Sequence, residues 1–212
     1  MSVRLPNGAT ISIASAYASP VTVSALSNAS PPVATATQSY TNGDFVEVTS
    51  GWSKLNNRIV KVASESGTQF SFSGIDTTDT TKYPAGNGIG TVRKITTFQQ
   101  ITQVLGLTAN GGDQQFATYE FLESDDQFQI PTVRAPQSLV LQIADDTSAP
   151  HYAILAAADA DRLQRALLVT LPSGSQIAYD AYITMNPTPS LTKGNIMALT
   201  VTASLLALPV RY

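Results

Sequence analysis

His151 is the one imidazole in the chain, and there is no cysteine, so any acid–base or nucleophilic chemistry would have to run through it. Serines and carboxylates abound, and a serine–histidine–aspartate arrangement would give it a role as general base. No Gly-x-Ser-x-Gly elbow is present, however. His151 directly follows Pro150 at the start of a helical stretch, where it reads as a surface or capping residue. The run Gly86-Asn87-Gly88-Ile89-Gly90 resembles a phosphate cradle, but a polar loop precedes it and β-like Thr91 to Ile95 follows, where the dinucleotide fingerprint needs a strand and then a helix. It reads as the hinge of a long loop. Asp76, Asp79, Asp125, Asp126, Asp145 and Asp146 could offer oxygen to a hard cation, but none has the spacing of a calcium loop with its closing glutamate. Turn formation and helix starts account for them. Trp52, alone after Gly51, reads as a core-edge anchor and not as a sugar platform. The expectation is therefore no catalytic residue, no metal and no cofactor.

Composition points the same way. The chain has 212 residues, 43% hydrophobic and only 13% charged, with a net charge of −3. That is enough apolar material for one β-sandwich or barrel over 1–212 and too much for a disordered chain. Its 12 lysines and arginines are scattered, so no basic stripe exists to neutralise phosphates. The start, Met1 to Gly8, has no apolar h-region of a secretory signal. No stretch approaches the roughly 20 apolar residues of a membrane helix.

The elements that would position any site are mostly strands. Thr10 to Tyr17 and Val21 to Leu26 alternate polar and apolar residues, and Asn42-Gly43 marks a tight turn before Phe45 to Val48. Ile59 to Ala63 and Phe70 to Phe72 form a pair turning at Glu65-Ser66-Gly67. The polar stretch from Gly74 to Gly90 reads as a long surface excursion, of a length that is usually functional. Thr96 to Gly106 carries Phe98, Ile101, Val104 and Leu105 at helical spacing and predicts a short helix. A second helix is expected over Ser148 to Asp161, with Ile154, Leu155 and Ala158 inward and Asp145 and Asp146 at its positive end. Leu163 to Leu171 and Gln176 to Met185 form a hairpin, and Ile196 to Leu206 returns as a strand. Regular strands with one or two helices on the flank predict a mainly β sandwich.

Several strings carry a further resemblance: Gly43 to Ser53 (GDFVEVTSGWS) with Leu55, Asn56 and Arg58, Gly74 to Thr78 (GIDTT), and Pro84 to Gly90 (PAGNGIG). Gly111 to Phe116 (GGDQQF), Gln129 to Thr132 (QIPT) and Leu208 to Tyr212 (LPVRY) complete the series. In their order along nearly the whole chain they resemble the major tail tube proteins of long, non-contractile-tailed (siphovirus-type) bacteriophages. The resemblance implies a tail-tube β-sandwich that forms hexameric rings, stacked into a hollow tube through which genomic DNA passes. The inner sheets would join edge to edge into one barrel, removing every free edge. A long loop and terminal arms would bridge the rings. Four strands from each subunit give a barrel of about 24, a backbone diameter near 48 Å and a bore near 38 Å.

A wall that passes DNA must not hold phosphates, so polar or acidic faces are wanted. Candidate lumen-facing residues are Glu120, Gln176, Asp180, Thr200 and Thr202, with Ser204 beside them; an outer wall would suit the same residues equally. Asp76, Asp79, Tyr83, Gly86 and Gly88 are the candidate inter-ring loop. The implied partners are copies of the chain itself, the tail terminator, the distal tail and tape-measure proteins, and DNA without tight binding. No membrane is implied. The expected location is the virion tail, after synthesis in the host bacterial cytoplasm. Other readings are a different virion ring or decoration protein, a carbohydrate-binding sandwich, which would need an exposed aromatic cluster, or a hydrolase through His151.

Overall fold

The computed structural model describes residues 5–212. Met1 to Arg4, and with them the start of the expected N-terminal arm, lie outside the described residues. The chain begins with β1 (Thr10–Tyr17), followed by the short β2 (Val21–Val23), β3 (Ala25–Leu26) and β4 (Val33–Thr35). The expected Val21 to Leu26 strand is thus broken at Ser24, whose N–H and hydroxyl both donate to the Thr35 carbonyl. Then come β5 (Phe45–Ser50), β6 (Arg58–Ser66), β7 (Gln69–Ser73), β8 (Gly90–Ile101), β9 (Val104–Gly111), β10 (Gln114–Glu120), β11 (Gln127–Arg134) and β12 (Gln137–Ala144). The helix α1 (Pro150–Asp161) leads into β13 (Gln164–Thr170), β14 (Gln176–Ser190), β15 (Ala198–Leu205) and β16 (Val210–Arg211).

One antiparallel strand path runs β3-β4-β7-β6-β5-β8-β1-β13-β14-β15-β12-β9, with β2 added to β8 and β16 to β14. The mainly β expectation holds. The long strand β8 joins two curled layers, pairing with β5 through Lys94 and with β1 from Ile95 onward. Three buried clusters follow from this. One lies within the first layer around Trp52, Phe70, Phe72 and Val92. A second lies between the layers around Phe45, Ile59, Ile95 and Ala178, and the third beneath α1 around Leu141, Ile143, Leu155, Leu167 and Val201.

That arrangement corrects the helix expected over Thr96 to Gly106. Val92, Ile95 and Ile101 serve the three clusters in turn as β8 crosses from layer to layer, with Phe98 packed on the middle one. Irregular register between β1 and β8 at Ala14 to Tyr17 adds to the effect. A strand whose apolar contacts pass from one core to the next along its length imitates helical spacing. The β-branched and aromatic side chains here favour the sheet. A tight turn with Gln103 at φ 58° separates β8 from β9. The second helix forms as expected: Pro150 opens its first turn, and Leu155 and Ala158 are buried against the sheet while Ile154 is half-buried.

The Gly74 to Gly90 stretch is no free excursion. Trp52 Nε1 donates to the Pro84 carbonyl at 2.7 Å, and the Trp52 and Tyr83 rings meet edge to face at 5.3 Å. Asn28 Nδ2 donates to the carbonyls of Thr77 and Tyr83 at 2.9 and 2.8 Å. Gly88 lies so close to the indole that a Cβ there would stand 2.8 Å from it. Tyr83 and Gly88 are buried, whereas Asp76, Asp79 and Gly86 are exposed. The segment is a lid over Trp52.

Candidate assembly surface

The four strands β14, β15, β12 and β9 lie side by side in antiparallel register, with shifts only between Gln142 and Ile143 and between Asn186 and Ser190. Directly opposite residues share a face, so the register assigns every side chain to one side or the other. One side is apolar: Ile183, Met185, Leu199, Val201, Ala203, Leu139, Leu141 and Ile143 bury against α1 and β13. The other side carries three rows. Tyr182, Ser204, Ser138 and Asn110 form the first, Thr184, Thr202, Val140 and Thr108 the second, and Asn186, Thr200, Gln142 and Gly106 the third. No residue of the three rows is charged. Val140 aside, the side chains present hydroxyls and amides.

At one lateral end of this sheet, β9 pairs only with β12, and its residues beyond Val104 are exposed. A groove of about 580 Å³, lined by Ile11, Val104, Leu107 and Val169 among others, separates the start of β9 from Pro6 to Ala9. Between β9 and β12 the chain leaves the body altogether. Strands β10 and β11 pair only with each other, and every residue of β11 is exposed. Tyr119, Phe121 and Phe128 cluster on this hairpin, with Tyr119 stacked on Phe128 at 5.6 Å. Sequence reasoning missed this element. Its signal was the alternation of Phe116 with polar neighbours, matched by Phe128 and Ile130 after the turn at Ser124 to Asp126. An exposed aromatic cluster is what a carbohydrate-binding reading asked for, and one exists, though at a hairpin tip and without a concave platform.

At the other lateral end the same face passes under the first layer. Asp180 shares the parity of Tyr182 and Thr184, yet it is 2% exposed and neither carboxyl oxygen has a hydrogen-bond partner. Burial pushes its pKa up to about 8, Glu47 pushes the same way, and Arg93 opposes both. It is not a surface side chain, because the first layer covers β14 at this point. Around it, Arg93 bonds Glu47 at 2.8 Å, Gln164 Nε2 donates to the same carboxylate, and the Arg93 guanidinium lies 4.1 Å from the Tyr17 ring centre. Beside this network opens a cleft of about 360 Å³ that includes Arg93, Arg162, Leu163, Arg165 and Tyr182.

The other expected residues scatter. Thr200 and Thr202 stand in the uncharged face. Glu120 is exposed, but on the hairpin, and Gln176 is half-buried at the start of β14, where Lys61 Nζ donates to it at 3.0 Å. His151 is 1% exposed and no surface cap: its Nδ1 faces the Thr102 N–H at 3.4 Å. Burial lowers its pKa, favouring the neutral ring, with the Asp146 charge pulling the other way. Asp146 itself accepts from the Ser148 hydroxyl and N–H, which lowers its pKa. Among the described residues no three His, Asp or Glu side chains gather as metal ligands. No helix there is long and apolar enough to cross a membrane.

The family model for phage tail tube protein, TTP, matches residues 50–212, from the end of β5 through β16. The chain belongs to the phage tail tube protein family. It is a structural protein of the phage tail and not an enzyme. The match contains the uncharged face, the free strand β9, the hairpin and α1. No curated protein matches the chain.

Proposed function

We propose that the chain, taken as one domain, closes with five further copies into a ring whose bore is lined by the three uncharged rows of β14, β15, β12 and β9. One observation carries this reading: the last four strands of the sheet path have an apolar face on the core, a hydroxyl and amide face outward, and an open lateral margin at β9. An open edge is a site for pairing with another strand, and ring closure removes it. Four strands from each of six subunits give about 24 in the closed barrel, with room for a DNA duplex.

An uncharged wall suits passage. Without lysine or arginine there are no counterions to release on contact with phosphate, so DNA gains nothing by stopping. Rings then stack through the N-terminal segment, while the β10–β11 hairpin, which pairs only with itself, is free to reach the adjoining copy in the ring. The lid over Trp52 has only its exposed points, Asp76, Asp79 and Gly86, to offer. Tail terminator, distal tail and tape-measure proteins complete the particle, DNA passes without tight binding, and the subunit is made in the host cytoplasm. Electron microscopy of the concentrated chain tests the reading: rings or tubes with a bore near 40 Å support it, and a chain that stays monomeric under every assembly condition refutes it.

A further inference from the structure

Charge is distributed unevenly along this chain. Of its 15 acids and 12 bases, the segment from Asp113 to Arg134 holds five acids and one base, leaving ten against eleven elsewhere. Four of those acids, Glu120, Glu123, Asp125 and Asp126, stand at the exposed tip of the hairpin beside Phe121 and the fully exposed Leu122. The tip has no cation of its own and no ion pair among the described residues. It is therefore acidic and apolar at once.

The cleft at the opposite lateral end of the sheet has the complementary character. Arg165 is bonded to Asp161 and Arg93 to Glu47, but Arg162 is exposed and has no ion pair among the described residues. A left-handed backbone at the end of α1 (φ 54°) places it there. Leu163 and Tyr182, both exposed, supply apolar surface in the same cleft.

Register puts the two features at one level. Gln164 stands opposite Tyr182, Tyr182 opposite Ser204, Ser204 opposite Ser138, and Ser138 opposite Asn110. The cleft adjoins the first two residues of that row, and the hairpin leaves the sheet just past the last. From β13 to β9 the row spans about 19 Å, while the seven residues of β10 reach about 23 Å. We infer that the acidic tip Glu120–Asp126 of one copy docks in the Arg162–Tyr182 cleft of the next copy, a head-to-tail contact between unlike surfaces. Such contacts generate a ring when the rotation between copies closes. Charge pairing across them sets register and excludes wrong partners. The inference rests on the ring reading and adds which surfaces meet.

A charge swap in the full chain tests it. The triple variant Glu123→Lys, Asp125→Lys, Asp126→Lys and the single variant Arg162→Glu alter exposed residues, so each should melt like the parent. Each is expected to raise the protein concentration needed for rings or tubes about tenfold or more, read by sedimentation and electron microscopy. Combining the two sets should return it to within about threefold of the parent. Variants that assemble like the parent, or a combination that fails to restore assembly, overturn the pairing while leaving the ring reading intact. A parent chain that never assembles refutes the ring reading and takes this inference with it.

Discussion

Replacing Asp180 by asparagine should remove most of the pH dependence of stability between pH 6.5 and 8. The carboxyl sits between the layers with both oxygens unbonded, and its pKa is pushed up to about 8 by burial and then by Glu47. In the unfolded chain it titrates near its ordinary value of 3.8. Between those two values the unfolded chain has released the proton and the folded one still holds it. Stability therefore falls as pH rises, by up to about 1.4 kcal/mol per unit, and levels off above about pH 8. From pH 6.5 to 8 the loss is roughly 1.5 to 2 kcal/mol, or about 3 to 8 °C in Tm for a chain of this size. His151, whose lowered pKa acts with the opposite sign, adds a rise in stability that fades above pH 6.5 as the unfolded chain's imidazole loses its proton, and this contribution is common to parent and variant. Thermal melts of the unassembled chain at fixed concentration would read the slope. Asp180→Asn keeps the shape and loses the titration, so its Tm should be nearly flat over the window, whatever the amide's own burial costs. An equal slope in parent and variant would show that Asp180 is ionised in the folded protein and that the account of this enclosure is wrong.

Other outcomes follow from the same contacts. Gly88→Ala forces a methyl to within 2.8 Å of the indole, an overpacking worth about 1 to 3 kcal/mol. Because Trp52 is the one tryptophan, its fluorescence should shift to the red along with the drop in Tm. Leu155→Ala opens a cavity under α1 and should cost about 2 to 5 kcal/mol in denaturant melts. Thr200→Lys with Thr202→Lys leaves the apolar side untouched, so the chain should fold and assemble, but its tubes should retain duplex DNA at low salt and release it as NaCl rises. Equal DNA retention by parent and lysine tubes would remove the uncharged face from the bore.

The sequence made some of this plain because local pattern and final environment agree. Thr10 to Tyr17 and Gln176 to Met185 show alternation because each has a buried face. Ala166 to Val169 run apolar because both faces of that strand are covered, and α1 shows its inward residues Leu155 and Ala158 directly. Thr200 and Thr202 were visible as the polar half of that alternation. Where a residue's surroundings come from a distant element, the pattern misled. Asp180 shares the parity of an exposed row but is enclosed beside Glu47 of β5 and Arg93 of β8, which lie far earlier in the chain. The helical spacing of Phe98 and Ile101 came from a strand passing between cores, and Val104 lies past the turn on β9, packed on the same cluster as Ile101.

The polar, glycine-rich run after Gly74 reads as free chain, and only the folded protein shows Trp52, Tyr83 and Asn28 holding it down. The hairpin that does leave the body looks more ordinary, because nothing local distinguishes a strand that finds a partner sheet from one that finds only its own return. Composition and alternation by themselves determined that this is a β-rich, weakly charged chain with little equipment for catalysis. Tertiary structure decided which polar face stays uncovered, which edge stays open and which carboxylate is enclosed. Those are properties of pairs of segments far apart in the sequence, and no window along the chain contains both members.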